Sequence, residues 1–464
     1  MTQFTDEELQ NSRAIHRSIL KPPTVLTHAQ GQYVYAQPGP NSTTSTKYLD
    51  AIGGAAVISV GHNNTEVIDV VTAQMSTISY AFNADFTIPV VEHFANYLLS
   101  SYDPAHVAKV YFANLGSEAN ENALKLAVQY WHEQGKTTKC QFISRGMSYH
   151  GNCLAGISLS GNKARVKPYE GIIDHARFHK VSPCFAFRYM RPTETTEEYT
   201  QTLLDELEEK IVDVGPENIA AFFAETVVGA TTACVTATEG YFAGVRRICD
   251  KFDILMILDE VMCGSGRTGT FFAWEQEGEG VVPDITTAGK TISGGYSPLS
   301  CVFINQRILD VLTAGSGLHN TVHTFQNFSL SCAAGYAVQK IVRRDALLKN
   351  VRAMGQYFGL ELRDKAGVFD MVVDVRGRGL FWGVEFAKDK VSKEPFDGEL
   401  GAGHRIGELM MKHGVIGYPG RGTIDGYKGD HILFAPSFDI KKEEIDIIVD
   451  ALVAAIEDFQ KKYL

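Results

Sequence analysis

Residues 253–299, DILMILDEVMCGSGRTGTFFAWEQEGEGVVPDITTAGKTISGGYSPL, decide how this chain is read. The stretch opens on an apolar run, Ile254 to Leu258, whose length and β-branched content suit a strand buried on both faces of a parallel sheet. The carboxylate pair Asp259 and Glu260 stands at its C-terminal end. A second short strand, Ile285 to Ala288, leads to Lys290, set among Ala288, Gly289, Thr291, Ser293, Gly294 and Gly295, which let other groups approach closely. Ligands of open α/β sheets bind beyond the carboxyl ends of the strands, so acid and lysine are expected to share one crevice.

The rest of the chain narrows the class. At 464 residues with 45% hydrophobic content it can hold two or three domains around a large core. A net charge of −11, with no long basic run, argues against nucleic-acid and anionic-membrane partners. No apolar stretch reaches membrane-spanning length, and MTQFTDEELQNSRAIHRSILK carries acids where a signal peptide needs an apolar segment, so a cytoplasmic protein is expected. Eight scattered cysteines without C-x-x-C or Cys/His spacing read as reduced thiols rather than as a metal site or a disulfide framework.

Three further stretches carry chemistry. In VYFANLGSEANENALKLAVQYW, residues 110–131, a strand runs into a Gly-Ser turn and then an amphipathic helix burying Ala123, Leu124, Ala127, Tyr130 and Trp131. Gly116, Ser117 and the unpaired N–H groups of the helix start can make a phosphate site, although, taken alone, Ser117 reads more readily as a plain N-cap. The strand Gln141 to Ser144 delivers Tyr149, His150 and Gly151, and the apolar run Ile219 to Ala224 ends at Glu225. Gly264, Gly266 and Gly269 spell the dinucleotide fingerprint G-x-G-x-x-G, but the strand before them already ends in Asp-Glu and no long helix follows.

Together GSEA, SYHG, LDEV, GRTG, PDI and AGK, in this order and with compatible spacing, resemble the class III aminotransferases, pyridoxal-phosphate enzymes of fold type I. The resemblance implies that Lys290 forms the Schiff base with the cofactor and that Asp259 holds its pyridinium nitrogen, with Glu225 completing the catalytic set. It implies that Gly116 and Ser117 hold the phosphate, that Tyr149 stacks on the ring beside His150 and Val261, and that Thr324 binds the phosphate across a homodimer interface. The fold expected is α/β, a large domain with a mainly parallel seven-stranded-type sheet flanked by helices, plus a small α+β domain. Residues 1–64 would form an N-terminal arm and part of the small domain, 65–335 the large domain, and 336–464 the C-terminal small domain.

Locally, residues 1 to about 30 read as a leading helix and extended arm, 160–200 as an excursion of loops, and YPGRGTIDGYKGDH, residues 418–431, as a glycine-rich loop. Three positions depart from the family pattern: Thr226 and Ser329 replace prolines, and Leu433 stands where branches handling α-carboxylates carry an arginine. That departure favours an amine or ω-amino donor with pyruvate or another small keto acid as acceptor. Arg421, or else Lys428, would then swing in to meet the acceptor's carboxylate, Ala55 and Ala56 would leave a wide entrance, and Ala56 and Phe82 would meet the substrate. An aminomutase or racemase of the same fold, and more remotely a nicotinamide-dependent oxidoreductase, are the alternatives.

Overall fold

The computed structural model of the protein describes residues 12–20, 23–37 and 44–464. Its centre is a seven-stranded sheet in the order Lys109–Ala113, Ser300–Ile304, Ile285–Ala288, Leu255–Glu260, Ile219–Glu225, Gln141–Arg145, Phe178–Val181. Ser300–Ile304 runs antiparallel to both neighbours, and the remaining pairs are parallel. Every residue of Leu255–Glu260 and Ile219–Glu225 is buried, as strands covered by helices on both faces must be.

The two-residue period sorts those side chains between two cores. Leu255, Ile257, Ala221 and Phe223 pack on one face with Ala123, Leu124 and Trp131 of the Gly116–Glu133 helix. Met256, Leu258, Phe222 and Ala224 pack on the other with Leu203 and Leu207 of Thr196–Val214 and Val245 and Ile248 of Tyr241–Lys251. The parallel register sets Asp259 directly beside Glu225 at the carboxyl edge.

Both ends of the chain build a second core. Leu49, Ala51 and Val60 pack in one cluster with Val384, Ile432 and Leu452. An antiparallel sheet of Val372–Arg378, Phe381–Phe386, Asp430–Phe434 and Tyr418–Arg421 lies there, under the Lys442–Tyr463 helix, which buries Ile445, Ile448, Leu452, Ile456 and Phe459. A separate sheet joins Leu26–Gln30, Tyr33–Ala36 and Thr46–Asp50 to Val415–Ile416.

Several local expectations are corrected. Residues 1–11, where a leading helix is expected, lie outside the described residues, and the extended arm contains the strand Leu26–Gln30. The 160–200 excursion holds the edge strand Phe178–Val181 as well as short helices. In YPGRGTIDGYKGDH the first four residues form a strand paired antiparallel with Asp430–Leu433, so most of that stretch is a hairpin. Apolar alternation is weak in both missed segments, and pairing with a distant strand is invisible to a local pattern. The G-x-G-x-x-G residues lie in turns with no α-helix behind them, only the short 3₁₀ turn Ala273–Gln276. Arg267 within them is fully buried and donates to the carbonyls of Leu380, Pro436 and Ile58, which ties the two cores together.

Hydroxyls at the two proline-replacing positions are used. Thr226 Oγ1 donates to Glu260 Oε1 at 2.8 Å, and Ser329 Oγ reaches the carbonyls of Ile78 and Ser79 at 3.2 and 2.8 Å.

His431 is fully buried opposite Glu385, and burial, reinforced by Arg376, pushes its pKa from 6.5 down to about 3. The unfolded chain therefore binds a proton between about pH 6.5 and 3 that the folded chain does not, so stability falls as pH falls through that window. His431→Gln should show a shallower loss of melting temperature between pH 7 and 4 than the parent; parallel curves would show that another group governs the acid limb.

Candidate active site

The carboxyl ends of the central strands open into a cavity of about 620 Å³, lined by Asp259, Glu225, Lys290, Tyr149, His150 and Arg165 among others. That volume accommodates an aromatic cofactor together with a small substrate.

Asp259 is 4% exposed and fully engaged: Oδ2 accepts from Asn120 Nδ2 at 2.7 Å and lies 2.8 Å from His150 Nδ1, and Oδ1 accepts from the Val261 N–H at 3.0 Å. Asn120 is itself fixed, donating to the His150 carbonyl and accepting from Thr287 Oγ1. Such a carboxylate is held in one orientation by three donors.

Glu225 accepts through one oxygen from the Tyr149 N–H at 3.0 Å and through the other from the Gly229 N–H at 2.9 Å. Burial raises its pKa, and His150 opposes the rise. With both oxygens committed to backbone donors, its visible work is to hold the Tyr149 loop. Glu260, the other half of the acidic pair, turns away from the cavity and binds the N–H groups of Ala273 and Trp274.

Lys290 follows the next strand with φ of +48°, a left-handed conformation that costs a non-glycine residue strain and that is tolerated where function requires it. Nζ donates to the Ala55 carbonyl at 3.1 Å. Burial pushes its pKa below the usual lysine range, against the pull of Asp259 and Glu225, which favours the neutral nucleophilic amine.

The phosphate reading of the Gly-Ser turn has a physical test. The N-cap of the Gly116–Glu133 helix is Leu115, which makes no side-chain cap bond, so Ser117 lies inside the helix rather than capping it. A Cβ at Gly116 would come within 2.6 Å of Val261 Cγ1, so the turn fits closely against that residue and only glycine is accommodated. Ser117 Oγ accepts from the Asn152 N–H at 3.1 Å. An apolar N-cap leaves first-turn N–H groups for a ligand, and their sign suits an anion. The residues present therefore fit pyridoxal phosphate: a helix start for the phosphate, the Tyr149 ring for the heterocycle, a fixed carboxylate for its nitrogen and a desolvated amine for its aldehyde.

Other expected positions fall elsewhere. Ala56 is fully buried against Leu433 and Ile52, because the Gly53–Gly54 turn presents Ala55 to the cavity instead. Phe82 and Thr324 are exposed outside it; the Thr324 carbonyl accepts from Asn83 Nδ2. Arg421 and Lys428 also lie off the lining, and the Arg421 guanidinium is occupied by the carbonyls of Tyr427 and Gly398 at 2.5 and 2.9 Å. Sequence reasoning missed Asn120, Arg165 and Tyr418, all of which line the cavity. Only for Asn120 was there a signal, one helical turn after Gly116.

A mixed seven-stranded sheet presenting an aspartate and a lysine to one crevice defines a fold type I pyridoxal-phosphate enzyme. The chain belongs to the class III aminotransferase family, whose model matches residues 15–456. It is 45% identical to an uncharacterized aminotransferase of Schizosaccharomyces pombe, over 94% of this chain and 93% of that protein. It is 35% identical to an uncharacterized aminotransferase of Bacillus subtilis, over 94% and 96%. Among solved structures, an amine transaminase from an uncultivated Pseudomonas species with pyridoxal phosphate bound superposes with a TM-score of 0.88 at 29% identity, over 96% and 99% of the two chains.

Asn120→Ala removes one charge-assisted bond from Asp259, so turnover and cofactor affinity should each fall on the order of 10-fold or more, with the fold intact. Absorbance titration of the apoprotein with pyridoxal phosphate checks this; unchanged affinity and turnover would show that Asp259 needs only His150 and Val261.

Proposed function

We propose that this aminotransferase moves an amino group from an amine or ω-amino donor to a small keto acid such as pyruvate, in two half-reactions that share one site. The observation that carries the reading is the pairing, in one cavity, of a carboxylate fixed by three donors with a desolvated lysine amine. Pyridoxal phosphate, when bound, supplies the electron sink that makes the substrate's carbon acidic. Lys290 Nζ would hold the cofactor's aldehyde end at rest and, once freed by the donor, carry the proton from the donor's carbon. Asp259 would keep the ring nitrogen protonated. Glu225 would set the Tyr149 ring through the N–H it accepts.

The donor class follows from the mouth of the cavity. Ala55, Val57 and Gly295 are small residues lining it, and Leu433 is buried in apolar contact, offering a donor's carboxylate no partner there. An uncharged and bulky amine suits such a mouth. The amine transaminase with the related structure points the same way. An aminomutase or racemase would turn over without a stoichiometric keto acid, and omitting pyruvate from the assay separates the two.

We further propose a homodimer in the cytoplasm. Residues 80–86 and 323–326 lie side by side, joined by Asn83 Nδ2 to the carbonyls of His323, Thr324 and Gln326, and they expose Phe82, Phe86 and Phe325. A second copy covering this face would bury those rings and carry Thr324 toward the neighbouring site. The eight free cysteines suit a reducing compartment.

Lys290→Ala should fold and bind pyridoxal phosphate, yet borohydride should fix no cofactor to it; an adduct mapped to a different lysine in the parent protein would sink the assignment. Asp259→Asn should lose about 100-fold or more in turnover while Asp259→Glu retains more of it, because the effect depends on charge. The double variant Phe82→Asp, Phe325→Asp should sediment as a monomer, and a surviving dimer would place the interface elsewhere.

A further inference from the structure

One charged group lining the cavity is left over. Asp259 and Glu225 are bonded to named donors, and Lys290 donates to the Ala55 carbonyl. The Arg165 guanidinium lines the same cavity and lies over the Tyr149 ring, 4.7 Å from its centroid. Among the described residues no carboxylate, carbonyl or hydroxyl oxygen is placed to accept from it. An arginine held over an aromatic face by a cation–π contact spends none of its N–H donors there, which leaves its fork for a planar anion.

The backbone beneath Arg165 is built to hold it there. Its N–H donates to Asn162 Oδ1, the cap of the short Lys163–Val166 helix, and Asn162 and Gly161 are tied back to Ser148, one residue before Tyr149. From the other side Gly426 packs on this helix so closely that a Cβ there would come within 3.1 Å of the Lys163 nitrogen. The same hairpin carries Arg421, which lies off the cavity lining and is tied through Nε and Nη1 to the carbonyls of Tyr427 and Gly398. Arg165 also belongs to the electrostatics of the reacting lysine, since its charge is one cause that lowers the Lys290 pKa.

We propose that Arg165 is the residue that binds the carboxylate of the keto-acid acceptor, making it the specificity determinant for a carboxylate-bearing acceptor over a neutral carbonyl compound. The inference rests on the transamination reading above. A keto acid enters with its charge paired to Arg165, and an uncharged amine donor needs no such partner. One open cavity thereby takes an apolar amine and an anionic acceptor in turn, with a fixed cation instead of a side chain that swings.

The experiment uses enzyme loaded with pyridoxamine phosphate, mixed with pyruvate or with propanal, which offers a carbonyl without the carboxylate. In the parent protein pyruvate should react faster than propanal at equal concentration. Arg165→Met should lower the pyruvate-to-propanal rate ratio on the order of 10- to 100-fold, the loss of a charge-assisted pair, and Arg165→Lys should recover part of it. Calorimetric titration with oxamate, an unreactive analogue of pyruvate, should weaken by a similar factor without any turnover.

A ratio unchanged in Arg165→Met, or equal losses with both carbonyl compounds, overturns the proposal. So does a collapse of the ratio in Arg421→Ala with Arg165→Met keeping the parent's value. Failure of the parent enzyme to react with pyruvate or with any other keto acid would instead defeat the transamination reading itself, so the two failures are told apart.

Discussion

Two carboxylates buried side by side constrain everything around the site. Asp259 and Glu225 are register partners on adjacent parallel strands, 4% and 6% exposed, and leaving either without donors would cost several kcal/mol. The chain resolves this by dividing the donors: Asn120, His150 and the Val261 N–H serve Asp259, and the N–H groups of Tyr149 and Gly229 serve Glu225. Tyr149 and His150 are consecutive, so the same two-residue segment is pinned by one carboxylate through its backbone and by the other through a side chain. The ring of Tyr149 is placed by the requirement to satisfy buried charge.

This explains which parts of the site can be read from the chain. Asp259, Lys290 and Gly116 are legible because each sits where a strand's apolar pattern stops, and strand ends are where such folds put ligands. Asn120 satisfies Asp259 from 139 positions away; its place one turn after Gly116 puts it on the same helix face, but nothing local marks Asp259 as its partner. Ala55 and Ala56 are adjacent and chemically alike, and only the Gly53–Gly54 turn, with φ of +57° and +73°, decides which faces the cavity. Arg165 and Arg421 pose the same problem for cations: both sit in glycine-bearing stretches, and what separates them is whether neighbouring carbonyls have already taken their donors. The mainly parallel seven-stranded sheet is what the resemblance implies, whereas its strand order is set by pairings between distant segments that no local pattern shows.

The mouth of the cavity belongs to both cores at once. Ala55, Val57 and Tyr418 come from segments packed with the second core, and Tyr149, Arg165 and Lys290 from the large sheet. Their spacing therefore depends on what holds the cores together. Arg267 spans from the GRTG turn to the carbonyls of Ile58, Leu380 and Pro436, and burial lowers its pKa to about 9. Arg188 and Arg376 close on Glu385, which is fully buried, with Thr423 donating to the same carboxylate. Ion pairs this deep contribute little net stability over an apolar alternative, yet removing one partner strands the other and costs about 3–5 kcal/mol. What they supply is a single relative placement of the two halves.

That placement bears on Lys290. Its Nζ rests on the carbonyl of Ala55, which is carried by a turn that Asp50 holds through the N–H groups of Ile52 and Gly54. Asp50 in turn is bonded to His62, and the strand it ends pairs with Val415–Ile416 just before the hairpin bearing Tyr418. The strained backbone at Lys290 and the shallow contact with Ala55 thus draw support from opposite ends of the chain, so the geometry of the amine is set by the docking of the two cores. Resting on a lone carbonyl gives the Lys290 amine one neutral hydrogen bond, weak enough to exchange, while burial favours its neutral form against the pull of Asp259 and Glu225.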